Sequence, residues 1–125
     1  MCGDILDSHN YPNPKMKFRS GGAQIDVLGE YGGIGLVVPG HIWNPDRNWG
    51  YKGLCADGDE VLAKYIAFTE EFIPEVKDGV SAGVYTQTTD VEIEVNGLMT
   101  YDRKVIKVSE ERLREANRKV IDAMK

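Results

Sequence analysis

The stretch QIDVLGEYGGIGL, residues 24–36, places a carboxylate directly after an apolar segment. Residues 24–28 have the character of a buried strand, and Glu30 follows them, ahead of Gly32, Gly33 and Gly35. A carboxylate that is partly removed from water is costly unless it is paired or hydrogen-bonded. Glu30 is therefore the first residue to consider for chemistry, and we expect a partner for it nearby. From the residues alone, an ordinary acid at a strand end that faces solvent is the favoured interpretation, and a functional carboxylate is the alternative.

Other chemistries have weaker support in the residue pattern. Cys2 and Cys55 are the only cysteines and lack a CxxC spacing, so two reduced thiols are expected. The glycines around Glu30 do not fit the dinucleotide-binding spacing, because Val38 stands where the third glycine belongs. No His, Cys and Asp spacing indicates a metal, so neither metal nor cofactor is expected. Four acids in strand-like segments are expected at scattered surface positions: Asp26, Asp90, Glu92 and Glu94.

The composition limits the classes of partner. The chain has 125 residues, 42% of them hydrophobic, which fits one domain of ordinary size. Its net charge of −5 and pI near 5.0 argue against nucleic acid or an anionic membrane as a partner. No apolar run approaches the length of a membrane span, and the first residues lack a signal-peptide pattern. The location of the whole protein is left open, including a periplasmic or secreted one.

Hydrophobic patterning predicts strands alternating with helices. Strands are expected over 4–11, 23–31 and 80–87, with a long irregular segment over 32–56. A helix is expected over 59–76, capped by Asp57 or Asp59 and kinked or ended near Pro74. Ser109 should cap a final helix. The order strand, loop, strand, helix, strand is typical of parallel α/β units.

Four strings together resemble one family of proteins. They are DSHNYPNP, VLGEYGGIGL, GHIW and GVYTQTTDVEIEVNGLMTYDRKV. They resemble the C-terminal portion of the catalytic barrel of glycoside hydrolase family 2, which contains β-galactosidases, β-glucuronidases and β-mannosidases. The resemblance implies an α/β fold that is a partial TIM (β/α)₈ barrel of about the last three strand units with a C-terminal helix. Residues 1–125 would form a single fragment of that domain, with strands six, seven and eight over 4–11, 24–30 and 80–87.

The resemblance also implies roles for particular residues. Glu30 matches the nucleophile of these retaining enzymes, and Tyr11 matches the tyrosine that hydrogen-bonds and orients it. His9 and Asn10 are candidate contacts to sugar hydroxyl groups. Where the family often has a tryptophan on the eighth strand, this chain has Tyr85. The remaining substrate-contact candidates are Trp43, Tyr85, Gln87 and Asp90. Loop packing is the favoured role of His41 and Trp49, with sugar contact as the alternative.

The second catalytic carboxylate of the family has no counterpart in the chain. The family's acid/base glutamate follows an asparagine, and no Asn-Glu pair occurs in this sequence. The expectation is a fragment of a β-galactosidase-like retaining hydrolase of O-glycosidic bonds that is inactive alone. The alternative is a noncatalytic carbohydrate-binding or assembly module. Expected partners are a carbohydrate and further copies of the chain, joined through exposed barrel edges.

The segment around Asn96-Gly97 has two alternative structures. The dipeptide lies between two runs of alternating residues, which is a signal for a β-hairpin. The family resemblance instead implies an extended loop after the eighth strand over residues 91–101, and we favour the loop.

Overall fold

A computed structural model describes residues 2–124 as a mixed α/β fold. A sheet of three parallel strands, in the order β1-β2-β3, is covered by two helices. The parallel arrangement predicted from the order of the elements is confirmed. The elements are β1 Ile5–His9, β2 Ile25–Gly32, α1 Gly58–Lys77, β3 Ala82–Thr86 and α2 Glu110–Asp122.

Local capping sets the starts of both helices. The Asp57 side chain accepts a hydrogen bond from the Glu60 N–H at the start of α1. Ser109 accepts from the Arg112 N–H at the start of α2, as predicted. Pro74 does not end α1, which continues to Lys77. Pro74 has no N–H, so one backbone hydrogen bond is missing from α1. Because Pro74 lies in the last turn, this loss affects only the end of the helix.

The core lies between the sheet and the helices. Leu28 and Tyr31 of β2 are buried there together with residues along one face of α1. The buried α1 residues are Val61, Leu62, Tyr65, Phe68, Thr69, Phe72 and Val76. In α2 only Ala116 is buried, and Ile121 stays exposed, as does Met124 just after the helix. The opposite face of the sheet, which we call the open face, carries Ile25, Val27 and Val84, and neither helix described within residues 2–124 covers it.

The two longest segments outside these elements are irregular. The segment after β2 runs to the start of α1, and the segment after β3 runs to the start of α2. Asn96 is fully buried, and the Gly97 N–H donates to Asp90 Oδ1 at 2.8 Å. Only isolated bridges occur between residues 89 and 106. The prediction of a loop rather than a hairpin at Asn96-Gly97 is therefore confirmed.

Two acids that the sequence placed at the surface are buried, and this prediction was wrong. Asp26 accepts from Arg19 Nε at 2.9 Å and from the Ser20 N–H at 3.0 Å. These bonds, the one from the Ser20 backbone foremost, lower the pKa of Asp26. Asp90 is buried against Lys107. Each carboxylate has a cation and a backbone N–H as partners, which offset the cost of burial.

Neither helix within residues 2–124 is long and apolar enough to cross a membrane.

The open face and the two sheet edges lead to a prediction about assembly. Val84 is 52% exposed on the open face, and β1 and β3 have no strand on their outer edges within residues 2–124. Unpaired edges recruit other strands, and exposed apolar patches mark interfaces. We expect the purified chain to form a homodimer or larger oligomer that buries at least about 800 Å² per protomer. Sedimentation at micromolar concentration measures this.

A matched pair of variants locates the interface. Val84→Lys adds a charge to the open face and should shift the chain toward monomer. Ile121→Lys adds the same charge at a residue that is 50% exposed on α2 and should leave the oligomer intact. A wild-type chain that sediments as a 13.9 kDa monomer would contradict the prediction.

Candidate active site

Glu30 and Tyr11 meet at the C-terminal ends of two neighbouring parallel strands. Tyr11 Oη donates a hydrogen bond to Glu30 Oε2 at 2.7 Å. The backbone joins the same two segments, since the Asn10 N–H donates to Glu30 O at 3.0 Å and the Gly32 N–H donates to Pro12 O at 2.9 Å. The fold thus brings together the two residues to which the resemblance assigns catalytic roles. The Tyr11 phenol is therefore the hydrogen-bond partner that we expected for Glu30.

A β-bulge in β2 decides which way Glu30 points. Ser8 pairs with Leu28, but the next residue of β1, His9, pairs with Glu30, so Gly29 is an extra residue in β2. The register against β3 shifts at the same place, between Leu28 and Tyr31. Both of these residues are buried on the helix side although they are three positions apart. Because a bulge reverses the alternation of side chains, Glu30 lies on the open face with 42% of its side chain exposed.

Asp7 and His9 extend the site along β1. They are two residues apart in a strand and so share the open face. His9 Nε2 lies 3.0 Å from Asp7 Oδ2, and His9 Nδ1 lies 3.4 Å from Glu30 Oε2. A Cβ at Gly29 would collide with the Asp7 carboxylate, so the glycine leaves the space that this carboxylate occupies. Sequence reasoning missed Asp7, although the Asp-x-His alternation was a signal for it.

Tyr11 is held in its protonated form. Burial foremost, and the charge of Glu30 in addition, raise the pKa of the Tyr11 phenol well above its usual value. The phenol therefore keeps its proton at neutral pH and remains a hydrogen-bond donor. The hydrogen bond from this phenol is suited to holding the Glu30 carboxylate in one orientation.

Two further aromatic residues continue from Tyr11, and we call Tyr11, Tyr51 and Trp49 the aromatic wall. The rings of Tyr11 and Tyr51 are stacked, with centroids 3.9 Å apart and planes within 5° of parallel. Trp49 lies edge to face with Tyr51 at 5.2 Å. The Tyr51 N–H donates to Gly33 O at 3.0 Å, and the Tyr51 ring fills the space that a Cβ at Gly33 would need. Gly33 also has a φ of +72°, which favours glycine.

Three other predicted contacts lie in the surrounding loops. The Asn10 amide donates to Asn13 O at 2.8 Å and so stabilises the turn over residues 10–13. Gln87 Nε2 donates to Asn96 Oδ1 at 2.6 Å. Trp43 is 63% exposed and lies edge to face with Tyr101 at 5.6 Å.

The loop that carries Trp43 is held to the later irregular segment by a hydrogen bond between His41 and Asp102. His41 Nδ1 lies 2.9 Å from Asp102 Oδ2, and Thr100 Oγ1 donates to Asp102 Oδ1 at 2.7 Å. These hydrogen bonds, the one from Thr100 foremost, lower the pKa of Asp102. The contact favours the packing role expected for His41.

Tyr85 and Asp90 do not reach Glu30 in this chain. Tyr85 shares the helix side of β3 with Gly83, and its ring lies 5.8 Å from Tyr31 and 4.8 Å from Tyr65. The Asp90 side chain is bound to Lys107 inside the loops. Side chains alternate between the two faces of a strand, so Tyr85 lies on the helix side of β3. Asp90 is buried because it pairs there with the Lys107 cation. Neither side chain is presented to a ligand at Glu30.

Comparison with known proteins gives no assignment. A scan of the sequence against protein-family models found no match, and a search of curated proteins found none. The case for a function therefore depends on the geometry of the site and on the sequence strings described above.

Proposed function

We propose that this chain is the nucleophile-bearing part of the (β/α)₈ catalytic barrel of a retaining glycoside hydrolase similar to family 2. The observation that carries the proposal is the hydrogen bond from Tyr11 to Glu30 at the C-terminal ends of two adjacent parallel strands. Catalytic residues of (β/α)₈ barrels lie at that end of the strands. The substrate class is a carbohydrate with a β-linked O-glycosidic bond, as in a β-galactoside.

Glu30 has the placement that the first step of a retaining mechanism requires. One carboxylate oxygen attacks the anomeric carbon, a bond from that oxygen to the sugar forms, and the bond to the leaving oxygen breaks. The bulge at Gly29 turns this carboxylate to the open face, where it remains accessible. Water then hydrolyses the glycosyl ester and regenerates the free carboxylate.

Tyr11 positions the nucleophile through the oxygen that it contacts. Its phenol binds Oε2 of Glu30, which leaves Oε1 as the oxygen free to attack. The raised pKa of the phenol prevents a second negative charge beside the carboxylate. The stacked Tyr51 ring fixes the plane of Tyr11 in turn.

A second carboxylate is needed to complete the reaction. Retaining enzymes place an acid/base group about 5 Å from the nucleophile, which protonates the leaving oxygen. The sequence lacks the Asn-Glu pair that supplies this group in the family. In the proposal, the acid/base comes from the other strands of a complete barrel.

The missing group leads to a test on the chain as it stands. We expect no hydrolysis of nitrophenyl β-glycosides above background, because the chain lacks the acid/base group that activates water for the second step, worth about 10²–10⁴-fold, and the other subsite walls. Release of nitrophenol by the purified chain measures this, with Glu30→Gln as the matched control. Turnover by the wild-type chain that the Glu30→Gln change abolishes would show that the site is complete without further strands.

A noncatalytic carbohydrate-binding module is the second candidate. It is favoured by the two exposed tryptophans, Trp43 and Trp49, because indole rings pack against sugar faces and donate one hydrogen bond. The two candidate functions predict different effects of replacing Glu30 in a complete barrel. A catalytic domain loses hydrolysis when Glu30 is replaced, whereas a binding module has no hydrolysis to lose.

A further inference from the structure

The carboxylates of Asp7 and Glu30 lie on the open face of the sheet, on either side of His9. His9 Nε2 lies 3.0 Å from Asp7 Oδ2, and His9 Nδ1 lies 3.4 Å from Glu30 Oε2. All three side chains are about half exposed. The Asp7 carboxylate lies over Gly29, the residue before Glu30, where a Cβ would collide with it. A second carboxylate therefore lies within one imidazole ring of Glu30.

The cluster offers hydrogen-bond acceptors, and its own donors are already used. The Asp7 carboxylate only accepts, so the proton of its contact with His9 is on Nε2. In a neutral imidazole the other nitrogen, Nδ1, is then an acceptor, and it faces a second acceptor, Glu30 Oε2. The Tyr11 hydroxyl group already donates its proton to Oε2. A ligand that brings several donors at once matches these acceptors.

The charges near the cluster indicate the sign of that ligand. The strands β1, β2 and β3 contain no lysine or arginine, and the aromatic wall consists of tyrosine and tryptophan. A sugar with a carboxylate, such as a uronic acid, would be repelled by Asp7 and Glu30. A sugar with an ammonium group would bring a positive charge and three N–H donors to the same place.

We propose that Asp7 is a specificity-determining residue that binds an ammonium group on the sugar unit at Glu30, so that the site takes β-linked amino sugars in preference to neutral or acidic sugars. This inference rests on the proposed function, which places that sugar unit at Glu30. Asp7 uses Oδ2 to hold His9, and Oδ1 is the oxygen that it offers to the ammonium group.

Titration of the full chain with methyl β-glycosides tests the proposal. The probes are the glucosaminide, its N-acetyl derivative, the glucoside and the glucuronide, which carry the positive charge, no charge, no charge and a negative charge. The chain has two histidines, so an imidazole ¹H–¹³C spectrum contains two sets of signals, and His41→Gln assigns them. We expect the His9 signals to move with the glucosaminide and much less with the other three. Equal movement with the glucosaminide and its N-acetyl derivative would contradict the proposal.

Affinity measurements on variants separate the charge of Asp7 from its contact with His9. Asp7→Asn keeps an acceptor for His9 and should weaken glucosaminide binding by about tenfold, the low end for a hydrogen bond between charged groups because Asp7 is half exposed. Binding of the neutral glucoside should not change. Asp4→Asn, at an exposed acid just before β1, should change neither. An equal loss for both sugars would mean that Asp7 acts only by holding His9 and would contradict specificity.

The same comparison in a complete barrel separates this inference from the proposed function. There the open face is enclosed by further strands, so association between copies does not cover Asp7. We expect kcat/KM for a nitrophenyl β-glucosaminide to exceed that for the β-galactoside by about tenfold, and Asp7→Asn to remove the preference. No binding of the glucosaminide by the chain and no preference in the barrel would overturn the proposal.

The two assignments can fail separately. If the preference is absent but Glu30→Gln abolishes hydrolysis, the role of Asp7 fails and the nucleophile stands. If the glucosaminide binds through Asp7 and Glu30→Gln leaves hydrolysis intact, the ammonium site stands and the nucleophile assignment fails.

Discussion

Replacing Glu30 with glutamine in a complete barrel that contains this chain should lower kcat for β-glycoside hydrolysis by about 10⁴-fold or more. The amide has nearly the shape of the carboxylate but lacks the charge that, in the proposed mechanism, attacks the anomeric carbon. The Glu30 side chain is partly exposed on the open face and contributes little to the core. Folding should therefore be unchanged, which circular dichroism and thermal unfolding check beside the kinetics.

Two further variants distinguish a nucleophile from a residue that only supports the site. Tyr11→Phe removes one hydrogen bond to a charged group and should cost about tenfold to a hundredfold in kcat, much less than Glu30→Gln. Glu30→Ala should regain turnover when azide is added, because azide attacks from the vacated side and forms a glycosyl azide of inverted anomeric configuration. Most of the wild-type turnover remaining in Glu30→Gln would remove Glu30 from the mechanism.

Replacing Lys107 with methionine should destabilise the fold by about 3–5 kcal/mol. The Lys107 side chain is 0% exposed, and Nζ lies 2.7 Å from Asp90 Oδ1. Nζ also donates to Leu36 O at 2.8 Å and to Val95 O at 3.0 Å. The variant would leave the buried Asp90 carboxylate without its cation, with the Gly97 N–H still donating to it. It would also remove one donor each from Leu36 O and Val95 O, of which Val95 O keeps the Leu36 N–H. Burial already lowers the pKa of Lys107 and raises that of Asp90, so each charge depends on the other.

Denaturant unfolding measures the effect of the Lys107 change. Lys104→Met is the matched control, because Lys104 is exposed three residues away and should change stability little. The double variant Asp90→Leu, Lys107→Met should lose less than the sum of the two single variants, since it removes both charges together. Equal unfolding midpoints for Lys107→Met and the wild type would show that the pair contributes nothing to stability.

Much of the fold follows from patterns within short stretches of sequence. The alternation of residues in the three strands, the apolar face of α1 and the capping residues Asp57 and Ser109 each depend on near neighbours. These features were predicted with boundaries within a few residues of those observed. The order of strands and helices likewise predicted the parallel sheet. Glu30 was recognised as a carboxylate that needs a partner, because the cost of burying a charge is a property of the residue itself.

The site itself was decided by contacts between distant segments. The sequence named Tyr11 and Glu30, but the bulge at Gly29, which turns Glu30 to the open face, arises only when β2 is paired with both neighbouring strands. The stacking of Tyr51 on Tyr11 joins residues 40 positions apart, and no periodicity within either segment encodes it.

The same reason explains why the predicted surface positions of Asp26 and Asp90 were wrong. Asp26 and Asp90 have the sequence surroundings of surface acids and are buried because Arg19 and Lys107 reach them in three dimensions. Near-neighbour patterns determine which residues form strands and helices. Where a charge comes to lie depends on which partner the folded chain brings within hydrogen-bonding distance, and for this protein only the tertiary structure determines that.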